Sequence, residues 1–310
     1  MKVYFLSPNR KQLIFPEAEA RLAGLDVHFE EKKKKPLEKV KGLLSPGEKI
    51  LALDPDFCSW NFPKRELEKI PDLKAICLQT TSFSWVDCSA AKERGTPVIN
   101  VRNYSTDSVA EWAVLMALMV GRKIPLVLKD KLKRNIARHK GFGTDGKVAG
   151  IIGLGHIGKR IAELCLGLGM DVIYWSRASR DSRFRLAGGL AEIFETADFI
   201  FPALAKNEES AKLITDDFLK RMKGTAIFTS IVHAVYNEKL LLRLAEAGKI
   251  GGYAFEFEPG EEKKFSKLSG NILALPGLAW ATDSSFRRNG EIWVENILKA
   301  AKGDFSGRIN

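Results

Sequence analysis

The chain has 310 residues, 45% of them hydrophobic and 28% charged, enough to bury sizeable cores in two domains of the ordinary soluble kind. No run approaches the roughly 18 uninterrupted apolar residues of a membrane span, and MKVYFLSPNRKQ at the start lacks the layout of a secretory signal, so a cytoplasmic location is expected. The 49 Lys and Arg against 38 Asp and Glu leave a charge of +11, which suits small anionic ligands; the densest run, EEKKKKPLEK from Glu30, begins with acids and meets a proline, so it reads as a solvated strand exit and not a nucleic-acid patch.

In chain order, the short apolar runs KVYFL, DVHFE, KILAL, LKAICL and PVINV fill the first hundred residues. They alternate with amphipathic segments, the pattern of parallel α/β architecture. TDSVAEWAVLMALMVGRK follows, a helix by its apolar spacing with Thr106 or Asp107 as N-cap, and it leads into a second unit. That unit carries the strands KVAGIIGLG, DVIYWS, FIFPAL, GTAIFTSI, GYAFEFE and NILALP. SSFRRNGEIWVENILKAAKG, with Ile292, Val294, Ile297 and Leu298, predicts a final helix that ends near Gly303 and returns to the first unit. Cys58, Cys77, Cys88 and Cys165 show neither metal-ligand nor redox-pair spacing, so reduced, packed thiols and no metal site are expected.

The sharpest motif is VAGIIGLGHIGKR. Gly153, Gly155 and Gly158 form G-x-G-x-x-G after an apolar strand and at the mouth of a helix. That context separates a dinucleotide fingerprint from a bare glycine turn: two glycines admit the pyrophosphate and the third lets helix and sheet approach. The amides of His156 and Ile157 then meet the phosphates. About twenty residues on, where an acid would accept from a ribose hydroxyl, the sequence reads SRASR. Ser176 can donate to a 2'-phosphate and Arg177, with Arg180, can offer it a planar cationic fork, which points to NADP(H) ahead of NAD(H).

The order of VDCSAAKERGTPVINV, VAEWAVLMAL, GIIGLGHIGKRIAE, ADFIFPALAKNEESAKLI and NEKLLLRLAEAGKIGGYAFEFEP resembles the D-isomer-specific 2-hydroxyacid dehydrogenases over nearly the whole chain. The resemblance implies an α/β fold of two Rossmann-like domains with parallel sheets: a flavodoxin-like substrate domain, 1–102 with 284–310, and a NAD(P)-binding Rossmann domain, 103–283. It also implies a homodimer, a small anionic substrate, and an active site between the domains. Members use an arginine to hold the substrate carboxylate, a histidine as acid or base, and a glutamate that tunes it. Counting from the shared motifs puts the arginine position at Val232 and the histidine position at Gly277, in LPGLAWAT. Neither can do that chemistry. The glutamate falls at Glu261 or, with one deletion, at Glu258, and His233 beside Val232 is a substitute acid if it faces the site. Thr80, Thr81 and Ser82 stand where the family has a glycine-rich loop whose amides bind the carboxylate, near an aromatic set of Trp60, Phe83 and Trp85. The expectation is an atypical NADP(H)-dependent oxidoreductase moving a hydride to or from a small 2-oxo or 2-hydroxy acid or related carbonyl compound. Its alternative is a non-catalytic NADP(H)-binding pseudoenzyme acting as a sensor or regulatory module.

Overall fold

The computed structural model describes residues 1–232 and 235–310, which divide into two compact units, 1–105 with 282–310 and 106–281. The first holds β1 (Lys2–Leu6), β2 (Asp26–Glu30), β3 (Lys49–Leu53), β4 (Leu73–Leu78) and β5 (Val98–Ile99) in the order β2-β1-β3-β4-β5, every pair parallel. Successive side chains leave opposite faces of a strand. Val3, Phe5, Ile50, Ala52, Ala75 and Cys77 therefore pack on one face with Trp293, Val294 and Ile297 of the helix Asp283–Ala301. Tyr4, Leu6, Leu51, Leu53, Ile76 and Leu78 build the other core. Burial on both faces explains why β1, β3 and β4 read as nearly continuous apolar runs, whereas the edge strand β2, DVHFE, is only partly covered and alternates. Trp293 anchors the helix by donating its indole N–H to the Cys77 carbonyl at 2.8 Å.

The second unit holds β6 (Val148–Ile152), β7 (Asp171–Trp175), β8 (Arg185–Leu186), β9 (Phe199–Pro202), β10 (Ile227–Ser230), β11 (Gly252–Phe257) and β12 (Ile272–Pro276). Their order is β12-β11-β10-β9-β6-β7-β8, again all parallel. Ile151, Val172, Phe199 and Phe201 face the helices Thr106–Gly121 and His156–Gly167, while Ile152, Ile173, Ile200 and Phe228 face the opposite layer. Both units are thus α/β and Rossmann-like, the first in flavodoxin-like order. The strands run from β6 outward to β8, and the chain then crosses back to place β9 on the other side of β6. Ligands of such sheets sit at the carboxyl ends of the strands flanking that reversal.

Several elements differ from their sequence reading. PVINV contracts to Val98–Ile99, and the exposed edge pair Arg185–Leu186 has too little apolar pattern to announce itself. The long helix begins at Thr106 itself, so Asp107 lies in its first turn, where its carboxylate sits 2.9 Å from Arg160. All four cysteines are free, and among the described residues no helix is long and apolar enough to cross a membrane and no cluster could hold a metal ion.

Candidate functional site

At the end of β6 the backbone turns through Gly153, whose φ of +97° lies in the left-handed region that glycine tolerates. A Cβ there would fall 2.6 Å from the Ala203 carbonyl oxygen, on the loop after β9. Gly158 is tighter still: its Cβ would lie 2.0 Å from the Gly153 carbonyl oxygen, so the helix can sit against the turn only without a side chain. Gly155, the N-cap, has ordinary φ, and a Cβ would meet nothing within 4 Å. The first intrahelical bond runs from the Lys159 amide to the Gly155 carbonyl at 2.9 Å. Earlier amides, those of exposed His156 and half-buried Ile157 among them, head the helix at the positive end of its dipole.

This turn opens onto a pocket of about 270 Å³ whose walls include Gly153, Gly155, Trp175, Ser176, Arg177 and Leu204. They come from the ends of β6, β7 and β9, so the strand order gathers them at the reversal. Ser176 accepts the Ser179 amide through its Oγ at 3.2 Å. Arg180 does not line the pocket: its guanidinium turns back onto the Ser176 and Ser179 carbonyls at 3.0 and 2.9 Å. The loop is anchored below by Asp181, whose amide donates to the Tyr174 hydroxyl at 3.2 Å. Hydrogen bonds from Arg183 and Lys159 hold the Asp181 carboxyl well below the usual carboxylate range. Arg177 is ion-paired with Glu209, from the loop after β9, and Glu209 lines the same pocket. Sequence reading passed over Glu209 because nothing local marks it.

The described positions expected to carry chemistry lie in the three segments that follow β10, β11 and β12. Val232 is half-buried; its amide donates to Ser230 Oγ at 3.1 Å and its carbonyl accepts from that hydroxyl at 2.8 Å. Tyr236 and Tyr253 share a hydrogen bond of 2.9 Å, and burial pushes the Tyr236 hydroxyl up to about 12, so it stays neutral. His233 lies outside the described residues. Gly277 is exposed, and its amide donates to the Phe257 carbonyl at 3.2 Å. The turn after it is organised by buried Glu256, whose Oε1 accepts the amides of Leu278 at 2.7 Å and Ala279 at 2.9 Å. Glu261 reaches the Glu258 amide at 3.3 Å and Lys264 at 3.2 Å, while Glu258 is exposed.

In the first unit, the Thr80 hydroxyl donates to the Ser82 carbonyl at 2.6 Å and the Thr81 hydroxyl to the Val101 carbonyl at 2.7 Å. Both protons serve the loop, which leaves the oxygens as acceptors. Trp85 is buried and donates to the same Ser82 carbonyl at 2.9 Å; Phe83 and Trp60 are exposed, and Trp60 meets the edge of Trp85 with centroids 6.1 Å apart.

Residues 114–276 match the family model described as D-isomer specific 2-hydroxyacid dehydrogenase, NAD binding domain. The glyoxylate reductase of Thermococcus litoralis is 31% identical over 258 residues, 78% of this chain and 78% of its own. Two solved structures share the fold over the full length of both chains: an acyclic imino acid reductase in complex with NADPH and D-Arg, at TM-score 0.79 and 20% identity, and D-lactate dehydrogenase with NAD+ from Lactobacillus jensenii, at 0.79 and 20%.

Proposed function

This chain belongs to the D-isomer specific 2-hydroxyacid dehydrogenase family, and on that premise we propose that it is an atypical NADP(H)-dependent oxidoreductase of a small 2-oxo or 2-hydroxy acid or related carbonyl compound, with NAD(H) the weaker cofactor. The observation that carries the reading is the pocket at the end of β6 and β7, where an open glycine turn meets Ser176 and Arg177 and the β7 strand ends without an acid. The residues fit a dinucleotide: of the three fingerprint glycines, Gly155 lines the pocket with free space around its Cα, while the crowded Gly153 and Gly158 hold the turn. A nicotinamide bound here supplies or accepts the hydride. The chain's part is to hold the pyrophosphate on the amides around His156 and Ile157 and the 2'-phosphate on Ser176 and Arg177. Thr80, Thr81 and Ser82 contact the substrate, and the proton falls to Glu258, Glu261 or His233.

Val232 and Gly277 favour a second reading, a non-catalytic NADP(H)-binding protein. Losing one acid-base group costs about 10²- to 10⁴-fold, and an apolar side chain at 232 offers no carboxylate clamp. NADPH oxidation against glyoxylate, hydroxypyruvate, other 2-oxo acids and uncharged aldehydes separates the two: turnover supports the enzyme, and silence beside clear NADPH binding supports the second reading. Titration by nicotinamide fluorescence tests the cofactor. NADH binding as tight as NADPH binding would remove the phosphate assignment, and Arg177→Asp should reverse the preference. We also read the protein as a cytoplasmic homodimer. Leu128, Leu132 and Ile136 are 56%, 71% and 60% exposed on one short stretch, an apolar surface suited to a second copy; a monomer by light scattering would remove that assignment.

A further inference from the structure

The Arg177 guanidinium, on which the proposed 2'-phosphate contact depends, is shared. Glu209 reaches it from the other wall of the pocket and pairs with it. The carboxylate is placed there by a built loop. The Ser210 amide donates to Asn207 Oδ1 at 2.9 Å, the Ser210 hydroxyl donates to the Asn207 carbonyl at 3.0 Å, and the Asn207 amide donates back to Ser210 Oγ at 2.9 Å. Ser210 is buried, so this closed set of bonds fixes the residue immediately after Glu209 and leaves Glu209 as the N-cap of the short 3-10 helix Ser210–Lys212. Arg177 and Glu209 are both well exposed, so their attraction is modest. A modest pair is one that a ligand can rearrange.

We propose that Glu209 is a cofactor-discriminating residue that narrows the preference for NADP(H) over NAD(H). A 2'-phosphate seated on Arg177 and Ser176 must take the guanidinium from Glu209 and then bear a like charge across the pocket. A 2'-hydroxyl meets the reverse situation: Glu209 is an acceptor where the β7 strand end supplies none, and the Arg177 pair need not open. The carboxylate absent from the end of β7 is in this way restored from the loop after β9. The inference rests on the reading of Arg177 as the 2'-phosphate contact and adds to it the residue that opposes it.

The test is fluorescence titration of the full chain with NADPH and with NADH, for the wild type, Glu209→Gln, Arg177→Ala and the double variant, at low and high salt. Glu209→Gln keeps the size of the side chain and removes its charge. It should tighten NADPH by about 3- to 10-fold, the scale of one exposed pair together with a screened like-charge repulsion, and leave NADH unchanged or weaker. The gain should shrink at high salt, where the Debye length shortens, and most of it should vanish in the Arg177→Ala background. A lost exposed salt bridge with only a structural role would move neither the NADPH to NADH ratio nor its salt dependence. If Arg177→Ala weakens NADPH while Glu209→Gln leaves the ratio untouched, the assignment of Glu209 is overturned and that of Arg177 stands. If Arg177→Ala leaves NADPH binding unchanged, both are overturned.

Discussion

Replacing Gly158 by alanine separates the architecture of the cofactor turn from its chemistry. The new Cβ would lie 2.0 Å from the Gly153 carbonyl oxygen and 3.1 Å from the Ala203 Cβ, where real Cβ contacts essentially never fall below 3.0 Å. Because the obstructing atom is backbone, the helix and the turn must part by about 1 Å, the difference between 2.0 and 3.0 Å. Overpacking of this kind costs about 1–3 kcal/mol, and at about 2–4 °C per kcal/mol for a unit of this size the melting temperature should fall by about 2–12 °C. The same displacement pulls the helix amides away from the turn, so NADPH affinity should fall at least about tenfold, or 1.4 kcal/mol. Gly155→Ala is the comparison, since its φ is −78° and nothing lies within 4 Å of the new methyl. It should leave the melting temperature unchanged and weaken NADPH by obstructing the approach of the pyrophosphate. Differential scanning fluorimetry and nicotinamide fluorescence read the two effects. A Gly158→Ala protein that melts and binds like the wild type would refute the packing argument, and a Gly155→Ala protein with normal affinity would refute the cradle.

Val232→Arg with Gly277→His should raise glyoxylate reduction at least about 10²-fold over the wild type, because a Cβ at 277 meets only the Phe257 carbonyl at 3.8 Å and has room; a folded, NADPH-binding double variant that reduces no 2-oxo acid would mean the pocket has been reshaped for another substrate. Glu256→Ala strips two amides of their acceptor and should cost about 2–4 kcal/mol, seen as a lower melting temperature, while Glu256→Gln keeps one acceptor and should cost less; an alanine variant as stable as the wild type would show that the turn holds itself. Burial pushes the Cys58 thiol up from 9.0 to about 11, so the thiolate fraction is small at neutral pH and its alkylation, followed by mass spectrometry, should go on accelerating to about pH 11; a plateau near pH 9 would contradict this.

The alternation of apolar runs with helical segments was legible because a parallel sheet covered on both faces demands nearly unbroken apolar strands, and KVYFL, KILAL and LKAICL fold as such. The fingerprint was legible because Gly153 and Gly158 answer local steric demands that leave no other residue. Spacing sets Arg180 beside Arg177, but it does not show that the Arg180 guanidinium folds onto the carbonyls of its own loop. The final helix follows from the spacing of Ile292, Val294, Ile297 and Leu298, whereas the hydrogen bonds of Trp293 to the Cys77 carbonyl and of Asn289 to the Gln79 carbonyl leave no mark in that spacing.

What the sequence alone determined is whatever a short stretch of chain decides for itself: strand, helix, glycine turn, and the residue types at Val232 and Gly277. Tertiary structure decided the pairings. Glu209 meets Arg177 across 32 positions because the chain returns from β8 to lay β9 beside β6, and Glu256 caps the Leu278 turn across 22 because β11 and β12 are parallel neighbours. Periodicity and turn chemistry act over a few residues, whereas the partner of a charged side chain is set by strand order, which no local pattern carries.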